Sequence, residues 1–391
     1  MQRNISKLYV INFLTGFVFW YGIEKLFLRS IGVSTVGIAL NAITYIVIST
    51  VFDIPTGVLA DRWNRKYTLM LGIGCLGVSS VLMGLSHGLT FYICATALWG
   101  LYTVFTQGTF QAMTYDTLHE LGRESEYVKH QGRSYGMFLV GISVSSVLGG
   151  YIGQAFGYRA TYFLTLLPCL VTLMLLWSLR EPKFHKDTSD TKIWPHVKQT
   201  VRIFTHQQFL LVICMLFIGI SILNYTQNEY SGLYFIALGF GSIGSGWANA
   251  DKWIAGALGR FLSQRLRHYV LWFIPLFFAS FVGFTLWRST FGIILFTLTG
   301  FLESIIMTNI EGVVQDNVPS NVRATALSTL SFSYSIIVIP ISIVFGYLAR
   351  HDVFHSYQFT AGIGLLFGLI WFLRPAAVRH GTLLTKSPDT V

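Results

Sequence analysis

Apolar runs long enough to cross a lipid bilayer recur along this chain of 391 residues, and they constrain its fold more than any other feature. A helix needs roughly 20 mostly apolar residues to cross the hydrocarbon core of a membrane. Twelve such runs are present, and they predict an all-α membrane protein with 12 transmembrane helices. The runs lie near residues 8–28, 33–58, 67–86, 89–115, 133–156, 160–179, 209–229, 234–259, 269–287, 290–313, 324–349 and 357–374.

The composition agrees with a chain that lies mostly in lipid. Only 11% of its residues are charged, against about 25% in an ordinary soluble domain. The net charge of +10 comes from Lys and Arg in the short gaps between apolar runs, not from one basic patch, so we expect no nucleic-acid partner. The four cysteines lie inside apolar runs, at spacings typical of neither disulfides nor metal sites. We therefore expect no metal and no cofactor.

The basic residues also orient the chain. With the N-terminus in the cytoplasm, 21 of the 27 Lys and Arg residues fall on the cytoplasmic side and Lys252 falls within a span. Cytoplasmic loops of membrane proteins carry such an excess of positive charge. We therefore expect both termini in the cytoplasm, and the short loops favour the cytoplasmic (inner) membrane of a prokaryote. The five residues at or beyond the outer edge are Lys25, Arg29, Arg159, Arg288 and Arg350.

The longest polar segment separates six apolar runs from six others. This layout predicts two pseudo-symmetric six-helix bundles, at residues 1–180 and 209–374, joined by a cytoplasmic linker at 181–208. A cytoplasmic tail follows at 375–391. Apolar residues within 193–204 have the spacing of a helix on the membrane surface, and a solvated linker with little helix is the alternative.

The loop between the second and third apolar runs reads GVLADRWNRK from residue 57 to residue 66. Gly57 would allow a neighbouring helix backbone to approach closely, and Asp61 could face the positive N-terminus of a helix. Arg65 could pair with Asp116 at the end of the fourth run; a proton site at Asp116 is the alternative. The candidate gate residues are Gly57, Asp61, Arg62, Arg65, Lys66 and Asp116.

This loop resembles the motif GxxxD(R/K)xGR(R/K) of the major facilitator superfamily. The resemblance implies a twelve-helix secondary transporter that works by alternating access, with the loop acting as a cytoplasmic latch between the two halves. The sequence departs from the motif at Asn64, where the family has glycine. Because Asn tolerates the left-handed conformation better than most non-glycine residues, we expect a left-handed turn to persist there.

Small residues in the fifth run resemble the motif Gx8Gx3GPx2GG of drug-exporting family members, which implies drug/proton antiport. Two positions differ, since Ser145 and Ser146 stand where the motif has Gly and Pro. A packing stripe without bearing on transport direction is the alternative. The fourth run also has Val104 where exporters usually carry Arg, three residues before Gln107, which weighs against the usual route of proton coupling. The motif residues are Gly132, Gly141, Ser145, Ser146, Gly149 and Gly150.

Carboxylates inside apolar runs are candidates for proton coupling, because an ionisable group costs about 2.5–3.5 kcal/mol at the centre of a membrane helix. By sequence position Asp53 and Glu303 lie deepest, and either could take up a proton on one side and release it on the other. The alternative at each position is a structural carboxylate that pairs with a lysine or with backbone donors. The candidates are Asp53, Glu303, Glu229, Asp251 and Glu24.

If the family layout holds, the first, fourth, seventh and tenth helices line a central cavity. Aromatic rings and a few amides suit an amphipathic or cationic ligand. The candidate cavity residues are Phe17, Trp20, Tyr21, Gln107, Asn224, Gln227 and Asn228.

These features favour a monomeric, proton-coupled exporter of small amphipathic or cationic molecules. Its expected partners are a small-molecule substrate, protons and membrane lipid. An uptake symporter or uniporter for a sugar or metabolite is the main alternative. A membrane-embedded enzyme is a remote one, because only His351, Asp352 and His355 suggest a catalytic or metal site. We expect no enzymatic activity.

Overall fold

The computed structural model describes residues 2–62, 64–182, 198, 202–206, 208–318 and 323–372. Side chains are described throughout these ranges except at 54–62, 125, 128, 208, 315–316, 323–328 and 370–372. Most of the predicted linker, including most of the predicted surface helix, and the whole predicted tail lie outside these residues. Of the candidate gate residues, the side chains of Asp61 and Arg62 and the surroundings of Gly57 also lie outside them.

All regular elements in the described ranges are helical, so the all-α prediction is confirmed. The helices are α1 (Gln2–Thr15), α2 (Glu24–Ser30), α3 (Thr35–Arg62), α4 (Arg65–Leu85), α5 (Leu89–Glu120), α6 (Tyr127–Phe156), α7 (Tyr158–Leu164), α8 (Leu166–Trp177), α9 (Gln208–Ala237), α10 (Ser242–Leu262), α11 (Val270–Leu286), α12 (Gly292–Asn317), α13 (Arg323–Leu348) and α14 (Val353–Phe372). Short 3₁₀ turns lie at Tyr21–Ile23, Glu124–Glu126 and Arg267–Tyr269.

Nine helical segments of the described chain are long and apolar enough to cross a membrane. They coincide with nine of the twelve predicted spans, and the others fall on α1 with α2, on α10 and on α14. The first of these is divided by a break between α1 and α2, and α10 carries Asp251, Lys252 and Arg260. The nine segments are Thr35–Asp53, Arg65–Leu85, Leu89–Glu120, Lys129–Phe156, Tyr158–Trp177, Phe209–Ala237, Arg267–Leu286, Gly292–Val314 and Thr329–Leu348.

The chain groups into two compact units. Unit 1 contains the described residues of 1–188 and 232–254, and unit 2 contains those of 189–231 and 255–391. The second segment of unit 1 comprises the end of α9 and the first part of α10. The division into six and six helices at the linker stays a prediction.

A non-helical stretch interrupts the first predicted span, between the end of α1 at Thr15 and the 3₁₀ turn at Tyr21–Ile23. It lies against the small-residue face of α6. A Cβ on Gly141 would collide with the carbonyl oxygen of Phe13, and one on Gly149 would collide with that of Phe19. These two glycines are therefore required by close backbone contact.

The hydroxyl of Ser145 on α6 forms a hydrogen bond to the same non-helical stretch. Ser145 Oγ donates to the carbonyl oxygen of Gly16 at 2.9 Å, and the backbone N–H of Phe19 donates to Thr165 Oγ1 at 3.2 Å. These bonds satisfy backbone groups that a continuous helix would pair internally. Serine at position 145 is thus a hydrogen-bond donor to the break as well as a small packing residue.

The neighbouring face of the α6 motif packs on the part of α10 that belongs to unit 1. A Cβ on Gly150 would lie 2.7 Å from the carbonyl oxygen of Ser242, and one on Gly246 would collide with the carbonyl oxygen of Ser146. Gly132, the first motif residue, has open space around its Cα. The later residues of the motif therefore form a tight packing surface, while the first does not.

Candidate functional site

A chain of polar side chains joins α9 to α12 in unit 2. Asn228 Nδ2 donates to Asn224 Oδ1 at 3.2 Å, and Asn224 Nδ2 donates to Glu303 Oε1 at 3.2 Å. All three side chains are half-buried. We call Asn224, Asn228 and Glu303 the α9–α12 polar cluster; it places a carboxylate and two amides together inside membrane-spanning segments.

Close helix packing holds Glu303 in place. In unit 2, a Cβ on Gly259 of α10 would collide with the carbonyl oxygen of Phe301, and one on Gly256 would lie 3.1 Å from Ser304 Oγ. Ser304 Oγ in turn donates to Glu303 Oε2 at 3.3 Å. Small residues therefore bring α10 against α12 at the level of the carboxylate.

Gln227, a candidate cavity residue, joins α9 to α12 in the structure. Its side chain is 1% exposed, and its Nε2 donates to Thr299 Oγ1 and to the carbonyl oxygen of Phe296. Such a buried amide must be paired, and this one is paired across two helices. Gln227 thus joins α9 to α12 within the protein interior and does not line an open surface.

Two further carboxylates of unit 2 lie on the same two helices as the cluster. Glu311 lies two turns along α12 from Glu303 and interacts electrostatically with both Arg260 and Glu303. Glu229 follows Asn228 on α9 and is half-buried. Glu303 and Glu311 are therefore close enough on α12 for their charges to interact.

In unit 1 the carboxylate of Glu24 lies within a buried polar network. Its Oε2 accepts from Lys25 Nζ at 2.7 Å, and its Oε1 accepts from Tyr92 OH at 3.1 Å and from Asn41 Nδ2 at 3.4 Å. Tyr92 OH also lies 3.0 Å from Tyr162 OH, and Lys25 is 5% exposed. Three donors thus occupy both oxygens of this carboxylate, so the network fits the structural alternative for Glu24.

Three other candidates are exposed. Asp53 on α3 and Asp251 on α10 both have exposed side chains, although the position of Asp53 in the sequence suggests a deep group. Gln107 on α5 is exposed as well. Sequence position within an apolar run does not indicate which side of the helix packs against its neighbours, so depth along the chain was a poor guide to burial.

The aromatic cavity candidates of unit 1 divide into two kinds. Trp20 is 2% exposed, donates from Nε1 to Ser80 Oγ at 3.1 Å and stacks on Tyr162 with ring centroids 5.2 Å apart. It belongs to the core of unit 1. Phe17 and Tyr21 are half-buried, so only these two remain accessible for a ligand.

The loop motif positions an ion pair at the start of α4. The guanidinium of Arg65 pairs with Asp116 on α5. Asn64 is extended, with φ −152° and ψ 124°, and its Oδ1 accepts from the backbone N–H of Tyr67 at 3.2 Å. The expected left-handed turn is therefore wrong: Asn64 acts as the N-cap of α4, for which an extended backbone is required. The gate function of the motif stays a prediction.

Glu181 lies at the same helix end and was missed by the sequence reasoning. Its Oε1 and Oε2 accept from the backbone N–H groups of Arg65 and Lys66 at 3.0 and 3.1 Å, which satisfies two donors that a helix start leaves unpaired. Burial raises the pKa of Glu181, and these two bonds and the charges of Arg65 and Lys66 oppose that rise. The sequence does contain a signal for this contact. Glu181 is an acidic residue directly after the sixth apolar run, and that end of the run is predicted to lie on the same cytoplasmic side as the loop motif.

Lys66 ties the same loop to the end of α8. Its Nζ donates to the carbonyl oxygens of Trp177 at 2.6 Å and Leu179 at 3.1 Å, and it lies 5.4 Å from the centroid of the Trp177 ring. Cations are favoured beside helix C-terminal carbonyls. Both basic residues described in this loop are therefore used in contacts within unit 1.

Asp352, one of the three residues behind the enzyme alternative, forms an ion pair with Arg288 in another loop of unit 2. Asp352 Oδ2 lies 3.1 Å from Arg288 Nη1 and 3.9 Å from His355 Nδ1. In the described chain, no group of three or more His, Cys, Asp and Glu residues could hold a metal ion. The arrangement has the form of a structural salt bridge.

Apolar helices that can cross a membrane and carry amides and carboxylates within their spans define a polytopic membrane protein of the transporter class. The chain belongs to the Major Facilitator Superfamily, whose family model matches residues 6–339. Transporters of this family bind small-molecule substrates, and the chain is an integral membrane protein of that kind.

Known transporters match this chain over nearly its whole length or over part of it. The uncharacterized MFS-type transporter MJ1560 of Methanocaldococcus jannaschii is 22% identical over 395 residues, covering 96% of this chain and 98% of that protein. The tetracycline resistance protein, class B, of Escherichia coli is 22% identical over 172 residues, covering 43% and 42%. The solved nucleoside transporter NupG superposes with a TM-score of 0.78 at 14% identity, covering 95% and 99%, which shows the shared fold.

Proposed function

We propose that this transporter exports small amphipathic or cationic molecules in exchange for protons, by alternating access, and that Glu303 carries the proton. The α9–α12 polar cluster is the observation that carries the proposal. An ionisable residue within a membrane-spanning segment is costly, and such residues usually mark substrate or proton pathways.

The partners of the carboxylates distinguish Glu303 from Glu24. Glu24 accepts from the buried ammonium of Lys25 and from two further donors, so protonating it would break a buried ion pair. Glu303 accepts from the neutral amide of Asn224 and from the hydroxyl of Ser304, and both groups can turn to present an oxygen to a protonated carboxyl. Glu303 is therefore better suited to alternate between two protonation states.

The substrate class follows from the accessible side chains of each unit. Unit 2 offers the amides of Asn224 and Asn228 beside a carboxylate, which suits a ligand that is cationic or donates hydrogen bonds. Unit 1 offers the half-buried rings of Phe17 and Tyr21, which suit an apolar or cationic surface. A relative whose name denotes tetracycline resistance supports export.

The cellular setting of the proposal is the cytoplasmic membrane of a prokaryote, with both termini inside and the protein working as a monomer. The prokaryotic relatives support this location, and the excess of basic residues on one side supports the orientation. The loop motif, including Asp61, would then act as a cytoplasmic gate.

The test uses purified protein in liposomes that enclose a pH-sensitive dye. A proton gradient is imposed, and a panel of lipophilic cations and neutral sugars is added, with protein-free liposomes as control. Proton movement that depends on the protein and on a cation, and not on sugars, is the expected result. Proton movement with sugars alone would favour an uptake symporter, and substrate flux without any proton movement would exclude proton coupling.

A further inference from the structure

The turn between α10 and α11 is a basic surface at the end of a membrane-spanning segment. Arg265 and His268 lie in it with exposed side chains, and the adjoining candidate span starts at Arg267. The sequence has no Asp or Glu between Asp251 and Glu303. The charge of this turn is therefore not balanced by acidic residues nearby in the sequence.

Two of its basic side chains are unused within the described protein. Arg265 and His268 make no hydrogen bond or ion pair to any residue that the structure describes. The loop between α3 and α4 differs, because Arg65 there pairs with Asp116 and Lys66 donates to two carbonyl oxygens. Internal contacts thus account for Arg65 and Lys66 of the earlier loop and not for Arg265 and His268 of the later one.

Exposed aromatic rings flank the same turn. Phe261 in the last turn of α10 is 76% exposed, Tyr269 is 56% exposed, and Trp272 in the first turn of α11 is 75% exposed. Tyr and Trp concentrate at the level of lipid headgroups, where one part of the ring contacts hydrocarbon and the other contacts water. The basic side chains are therefore placed beside the headgroup layer.

We propose that this surface, formed by Phe261, Arg265, His268, Tyr269 and Trp272, binds the headgroup of an anionic phospholipid. Arg265 and His268 donate to the lipid phosphate, a geometry for which the guanidinium fork is well suited. Trp272 and Phe261 pack against the glycerol and the first acyl carbons. Aromatic contacts on both sides of the basic residues distinguish a lipid from a free anion in water. This binding site is independent of the proposed substrate and of proton coupling.

The experiment measures lipid retention by native mass spectrometry on the full-length protein, released from nanodiscs of equal phosphatidylglycerol and phosphatidylcholine content. The wild type should retain phosphatidylglycerol preferentially. Arg265→Gln combined with His268→Gln should lower its apparent affinity by about fivefold or more, since one interfacial basic residue contributes about that factor. Retention of phosphatidylcholine should not change.

Arg29→Gln is the matched control, because Arg29 is also an exposed arginine at a helix end. It should leave phosphatidylglycerol retention unchanged. Equal retention of the two lipids by the wild type, or an equal loss in the Arg29 variant, would overturn the proposal. Displacement of the lipid by millimolar glycerol 3-phosphate would also overturn it, because a free anion would then suffice. The wild-type comparison holds even if the double variant proves unstable.

Discussion

The guanidinium of Arg65, at the start of α4, forms an ion pair with the carboxylate of Asp116, near the end of α5. The two side chains are only 10% and 15% exposed. Removing one member of a pair this well buried leaves an uncompensated charge, which typically costs about 3–5 kcal/mol.

Asp116→Asn should therefore lower the stability of the purified protein by a few kcal/mol, measured as the midpoint of unfolding in detergent. Gln111→Ala, an exposed substitution on the same helix, should have little effect. An unchanged midpoint in the Asp116 variant together with lost proton coupling would favour the alternative of a proton site.

Glu181 links stability to pH. Because burial raises its pKa above the ordinary value of 4.5, the folded protein holds this proton at pH values where the unfolded chain has lost it. Stability contributed by Glu181 is then highest at or below pH 4.5 and falls as pH rises through the raised pKa. The difference in melting midpoint between wild type and Glu181→Gln should change in that direction between acidic and neutral pH. A constant difference would contradict this account.

The α6 motif allows a test of packing within one helix. Gly149→Ala should strongly destabilise unit 1, because the added methyl meets the backbone of Phe19 and a backbone cannot move aside cheaply. Gly132→Ala should be neutral or slightly stabilising, since its surroundings are open and Ala favours a helix over Gly by about 1 kcal/mol. Expression level and melting midpoint measure both. Equal expression levels and melting midpoints for the two variants would show that close packing of α6 on the non-helical stretch after α1 does not stabilise the protein.

The network around Glu24 predicts a rescue. Glu24→Gln should destabilise the protein, because the buried ammonium of Lys25 loses its counter-charge. Adding Lys25→Met should restore much of that loss, as replacing a whole buried pair by apolar groups is often neutral. A double-mutant cycle on melting midpoints measures the coupling. If the effects of the two single substitutions add up to the effect of the double variant, the ion pair between Glu24 and Lys25 contributes nothing to stability.

Much of the helical architecture could be predicted from the sequence, because the length of an apolar run is a local property. The break after Thr15 could not, since it depends on whether α6 offers a face that accepts an unwound backbone. The hydrogen-bond partners of polar side chains also depend on residues far away in the sequence. Glu181 binds backbone groups 116 and 115 residues away.

Burial was the other property that the sequence left undecided. Trp20 lies on the buried side of its segment and Phe17 does not, yet both are aromatic residues of one apolar run. In a membrane protein, both lipid-facing and core-facing positions are apolar, so periodicity carries little information about which side packs. Asn224 and Asn228 were expected to line the cavity and Glu303 to be a proton-coupling group, and the structure adds the hydrogen bonds that join the three side chains.

The most direct test of the central claim compares two transport modes of Glu303→Gln in proteoliposomes, using the most active compound of the panel. One mode is transport driven by an imposed pH gradient, and the other is exchange of substrate across the membrane without any gradient. We predict that the variant keeps exchange and loses gradient-driven transport, since glutamine can hydrogen-bond to Asn224 but cannot release a proton. Glu24→Gln should keep both modes. Full gradient-driven transport by the Glu303 variant would contradict the assignment of Glu303 as the proton carrier.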